Sequence, residues 1–240
     1  MSAPTLERPA RYPGSPPPVR TPPPAPQQPL NVTVPIPVIA AICTFFTALC
    51  LGNLFDGLEW WLLPAAGGIA LAAVVGVAAR RLSVPALLMP LVYLVAGWLY
   101  VIPVATSGSE FSSRISLAPS GATFTGLREL ADAAGHDIRT LTVPVPERPG
   151  FLFLTVAGVF LVAAAVDGIA AGLRRPPAAG LPLLALLAVP AAVVERGVGL
   201  LAFTAACVSY IWLLLAAGRQ ELLSWARLRT DSEGRLVSEW

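Results

Sequence analysis

Lysine is missing from this chain of 240 residues, and histidine occurs once, at His136. Charged side chains make up 12% of the sequence, about half the share of an ordinary soluble domain. With 55% hydrophobic residues and a mean hydropathy of +0.70, a soluble globular fold is a poor reading. The net charge of +2 is too small for a nucleic-acid binder, and the arginines sit at the edges of apolar runs rather than along one stripe. Cys43, Cys50 and Cys207 all lie inside apolar runs, so they read as small buried hydrophobes, not disulfides, ligands or nucleophiles. There is no P-loop, no GxGxxG and no zinc signature. No cofactor, no metal and no catalytic site are therefore expected. An apolar core near Met1 is also missing, so the first membrane span is expected to direct insertion and stay in place.

What is present is a series of about six apolar stretches, each near the roughly 20 residues that cross a bilayer as a helix. They fall at about 34–54, 60–79, 84–105, 151–173, 179–194 and 197–217, within an all-α integral membrane domain over 34–217. The fifth is short and interrupted by Pro182 and Pro190, so the last two could instead form a hairpin turning at Glu195–Arg196. Residues 1–33, with Pro16–Pro18 and Pro22–Pro24, read as a disordered proline-rich tail, and 218–240 as a juxtamembrane tail. The all-arginine basic set, with the excess of Ala, Gly, Pro, Val and Leu, points to a high-GC bacterial genome.

The arginines alternate across these stretches. Arg80–Arg81, Arg174–Arg175 and Arg219, Arg227 and Arg229 fall on one side, which the positive-inside rule makes cytoplasmic. Both termini are then inside, and residues 106–150 form an extracytoplasmic loop. Trp60 and Trp61 are expected at a headgroup boundary, and Tyr93, Trp98 and Tyr100 toward the far end of the third span. Within the loop, Leu127, Leu130, Ala131 and Ala134 predict a short amphipathic helix over 126–134, with Thr125 as N-cap and Gly135 as its stop. Residues 141–146 read as an extended lead into the fourth span. His136, beside Asp137, reads as a solvated loop histidine.

Two signals lie inside the spans. Gly68, Ala72 and Gly76 recur at four-residue spacing, as do Ala164, Gly168 and Gly172, and small side chains at that spacing let helix backbones approach closely. Asp167 is the acidic residue well inside a span. A charge at that depth costs about 2.5–3.5 kcal/mol on insertion scales, so it needs a partner, water or a proton. Either it pairs with Arg174 or a neighbouring span, or it relays protons or ions.

The order Gly126–Leu130, Val143–Gly150, Val166–Asp167, Arg174–Pro176, Ala179–Leu184, Ala188–Pro190, Gly218–Arg219 and Trp225 resembles the N-terminal membrane domain of TgpA-type transglutaminase-like proteins of actinobacteria. The resemblance covers about 34–225 and is strongest from 126 to 227. It implies a cell-envelope setting, in which such spans precede an extracytoplasmic transglutaminase-like domain with a Cys-His-Asp site. No such site matches here, so no catalytic residue is carried over. Three readings remain: a non-catalytic anchoring or scaffold module in the bacterial plasma membrane, partnered by the bilayer and a transglutaminase-like domain or other envelope protein; a small transporter or channel subunit using Asp167; and an intramembrane enzyme, against which stands the want of a second acidic residue or a histidine at that depth.

Overall fold

The computed structural model describes residues 35–107, 118–140, 144–193 and 197–236, with the backbone alone over most of 221–236. The proline-rich tail at 1–33 and the Glu195–Arg196 turn lie outside the described residues. Seven helices and no strands are seen among the described residues. They are α1 (Ile36–Leu49), α2 (Glu59–Arg81), α3 (Met89–Thr106), α4 (Gly121–Thr140), α5 (Pro149–Asp167), α6 (Gly180–Val193) and α7 (Leu200–Leu236). Short tighter turns extend α1 to Leu54 and lead into α3 from Ala86 and into α6 from Pro176. With these extensions, six segments are long and apolar enough to cross a membrane: Ile36–Leu54, Glu59–Arg81, Ala86–Thr106, Pro149–Gly172, Pro176–Val193 and Leu200–Gln220.

Proline marks several starts, because its missing N–H costs nothing in a first turn. Pro149 opens α5, and α1 and α3 carry proline in their first two positions. α2 ends on Arg80 and Arg81, which suit the negative end of a helix dipole. Past Arg81, the N–H of Val84 reaches back to Ala79 O at 3.0 Å, while Ser83 takes a φ of 55°. Past α5 the backbone widens into a π-turn over Gly168–Gly172, and Arg174 takes a φ of 52°. Both are left-handed stops of the kind glycine usually makes.

The core forms around α2, α3 and α5. Phe160 of α5 is the wedge: it packs beside Gly68 of α2, and a Cβ on Gly97 of α3 would come within 2.6 Å of its ring. Trp61, Ile69, Ala72, Val159 and Ala163 complete this centre. α1 joins a second cluster, in which Ile39 and Cys43 meet Val166, Ala179, Leu183 and Leu213. Most of the remaining large apolar side chains of α3, α6 and α7 point outward. In a membrane that outward face meets lipid, so their exposure carries no penalty.

Several sequence expectations need correction. Trp61, at the start of α2, is fully buried against the protein: its indole N–H donates to Gly57 O at 3.2 Å, and Phe55 packs against both tryptophans. Cys207 is exposed, unlike Cys43 and Cys50. The loop helix is longer than 126–134, because Ser120 rather than Thr125 caps it: its hydroxyl accepts from the Thr123 N–H at 3.3 Å. Thr125 donates back to Gly121 O inside the helix, and Gly135 is carried through as an interior residue. Its buried stripe is Thr123, Gly126, Leu130 and Ala134, rotated from the expected face, so that Ala131 is exposed. Ala134 fixes that rotation, since its backbone sits against Gly150 at the start of α5, where a Cβ would be 3.1 Å from its nitrogen. Of the expected extended lead, 141–143 lie outside the described residues, and Val145 makes an isolated bridge to Phe55.

Candidate functional site

The ends of α2 and α5 meet the beginning of α3 at one end of the bundle, the arginine end. Arg80 lies in the last turn of α2, Tyr93 in the second turn of α3, and Asp167 at the last position of α5. The two terminal nitrogens of Arg80 donate to the two oxygens of Asp167, at 2.7 and 3.1 Å. The Tyr93 hydroxyl donates to the same Asp167 oxygen, Oδ2, that receives the shorter arginine bond. The carboxylate is almost fully buried, whereas a quarter of the Arg80 side chain remains exposed (25%).

The arrangement satisfies what burial of a charge demands. A paired fork of guanidinium on carboxylate is the strongest common form of ion pair, and Tyr93 adds a third donor to the oxygen that takes the shorter arginine bond. No buried side-chain nitrogen or oxygen lacks a hydrogen bond among the described residues. Chemically, the site holds one negative and one positive charge in a fixed geometry that joins three helices. It presents no exposed nucleophile. Among the described residues, no group of three or more His, Cys, Asp or Glu could hold a metal ion.

Gly76 makes room for this cluster. It is one turn before Arg80, and an added Cβ would fall on Asp167 Oδ2 and the Tyr93 hydroxyl. Gly68 and Ala72, on the same α2 face, are also buried. On α5, Ala164 is buried, but Gly168 and Gly172 have nothing within 4 Å of an added Cβ. Those two glycines belong to the π-turn and make no tight helix contact in this structure.

Of the two partners the sequence allowed for Asp167, the neighbouring span supplies the one observed; Arg174 is exposed, with a left-handed backbone, and makes no ion pair among the described residues. In the sequence Arg80 marks only sidedness, and Tyr93 is expected toward the far end of its span. Tyr93 in fact lies near the start of α3 and turns inward. The signal that could have found both is depth: each sits within a turn or two of an arginine-rich span end, as Asp167 does. His136 is exposed on α4, far in sequence from the cluster.

No curated protein and no solved structure matches the chain. A six-span helical bundle, tied at its arginine end by a buried carboxylate, is nevertheless matched from residue 42 to residue 237 by one family model, and on that extent the chain belongs to the TgpA N-terminal domain family.

Proposed function

We propose that this chain is the membrane-anchoring module of a TgpA-like, transglutaminase-type cell-envelope protein, with no catalytic chemistry of its own. Both termini and the arginine end face the cytoplasm of a bacterial cell, and α4 with its flanking segments faces outward. The chain's role is to hold a transglutaminase-like domain, or another envelope protein, against the outer membrane surface. The setting is the multi-pass plasma membrane of an actinobacterium.

The observation that carries this reading is the way Asp167 is held. Arg80 and Tyr93 together occupy both carboxylate oxygens and fasten α2, α3 and α5 into one unit. A coupling carboxylate in a transporter must release or exchange its ion, whereas this one is built to stay paired. Family membership supports the same role, because the matched region is a domain that the resemblance places ahead of an extracytoplasmic enzyme.

The test uses the full chain in membranes of its source cells, with a photo-crosslinking residue in place of Arg128 on the exposed side of α4. Crosslinks to a transglutaminase-like polypeptide are expected. Crosslinks to lipid alone, together with ion or solute flux in reconstituted vesicles that Asp167→Asn abolishes, would replace the anchoring reading with a transporter.

A further inference from the structure

Consecutive spans of a helical membrane protein usually pack on each other, but α7 does not lie along α6. It packs chiefly along α1, and meets the α6 side at the turn over Pro176–Ala179 and, through Tyr210, at Gly180. The space left between them is a cavity of about 230 Å³, floored by Thr47 of α1. Its walls are Leu183, Leu184 and Leu187 of α6 with Phe203 and Ala206 of α7. Thr47 offers no free donor to this space, because its hydroxyl is spent on Cys43 O at 2.9 Å.

From Gly180 to Leu187 the groove is about 10 Å long at the helical rise of 1.5 Å per residue. One end is closed by Tyr210, whose hydroxyl donates to Pro177 O at 2.9 Å and whose ring lies against Gly180. That end adjoins Arg174 and Arg175, both exposed and neither in an ion pair among the described residues. From Gly168 to the end of α6 the described chain carries no acidic residue to neutralise them. Arg174 also holds the left-handed position that glycine usually fills, so a cation is kept here at some backbone cost.

We infer that the α6–α7 groove is a binding site for one acyl chain of an anionic phospholipid from the leaflet at the arginine end, its phosphate met by Arg174 and Arg175. A gap at hydrocarbon depth must be filled, and its apolar walls exclude water. The groove runs along the spans from the charged boundary toward the membrane centre, the direction in which an acyl chain descends from its headgroup. Arg174 and Arg175, exposed beside the turn that ends the groove and in no ion pair among the described residues, favour a negative headgroup over a zwitterionic one.

The full chain, purified in detergent with phosphatidylglycerol and phosphatidylcholine of matched acyl chains, tests this by native mass spectrometry. Phosphatidylglycerol should be retained in preference, and Arg174→Gln and Arg175→Gln should each lower that preference about fivefold. Leu184→Trp, at an exposed groove position, should lower retention of both lipids by about tenfold. Its helicity and elution volume should match the parent, which separates a filled groove from a misfolded chain. Equal retention of the two lipids, or a preference that survives both arginine substitutions, overturns the headgroup assignment. Retention unchanged in a folded Leu184→Trp variant overturns the groove as the acyl-chain site.

Discussion

Arg80 and Asp167 are 87 residues apart in sequence, and two hydrogen bonds of 2.7 and 3.1 Å join them across the ends of α2 and α5. The pair is asymmetric in exposure, 25% for the arginine side chain and 4% for the aspartate. Its energetic weight therefore falls on the carboxylate, which has no route to solvent. The arginine keeps one.

That asymmetry makes the two single substitutions unequal. Removing one partner of a buried pair costs about 3–5 kcal/mol, because the other charge is left alone. Arg80→Met strands a buried carboxylate and should fall at the upper part of that range. Asp167→Asn strands an arginine that can still reach headgroups, and should cost about 3 kcal/mol. Replacing both, as Arg80→Met with Asp167→Leu, should recover most of the larger loss. Denaturant or detergent unfolding followed by circular dichroism measures all three; equal, additive losses would mean the two groups do not act on each other.

Gly76 of α2 and the two glycines of the π-turn after α5 should respond in opposite ways to the same added methyl. At Gly76 the new Cβ collides with Asp167 and Tyr93, both held in place by the ion pair. Gly76→Ala should therefore cost at least about 1–3 kcal/mol, as overpacking does. Gly168→Ala and Gly172→Ala meet nothing within 4 Å. Alanine is the better helix former by about 0.8–1.0 kcal/mol, so these two should be neutral or stabilising. Thermal unfolding in one detergent ranks the three, and a Gly76→Ala as stable as the parent would show that the cluster yields easily.

Tyr93 contributes one hydrogen bond to a charged acceptor, a contact generally worth about 1.5–3 kcal/mol. Tyr93→Phe removes that donor and leaves the ring in place. Because Arg80 still serves both oxygens, the loss should be smaller than for Asp167→Asn. Unfolding of the two variants side by side checks the order.

How much of this was legible beforehand follows from which forces act locally. The spans were legible, because a bilayer demands about 20 apolar residues in a row and punishes charge, and both requirements act along the sequence. The need of Asp167 for a partner was legible for the same reason. Its partner was not: Arg174 is close in sequence, but the register between α2 and α5 is set by Phe160, Gly68 and Ala72, contacts that no single segment contains. The apolar pattern understates α4 at both ends for a related reason. Its cap lies at Ser120, outside the apolar pattern, and its face is set by Gly150 on another helix.

The sidedness of the bundle is the remaining step, and single cysteines can decide it. Leu82 at the arginine end and Ala131 on α4 are both exposed, so neither substitution disturbs packing. The native cysteines need attention first. Cys43 and Cys50 are buried, and Cys207 faces outward from a span, where a charged maleimide does not reach it in a bilayer. With a membrane-impermeant maleimide on intact cells, Ala131→Cys should label and Leu82→Cys should label only after permeabilisation. The expectation follows from Arg80, Arg81, Arg174 and Arg175, whose retention on the cytoplasmic side is what orients a multi-span chain during insertion. Labelling of Leu82→Cys from outside would place all four arginines across the membrane and remove the outward-facing role proposed for α4.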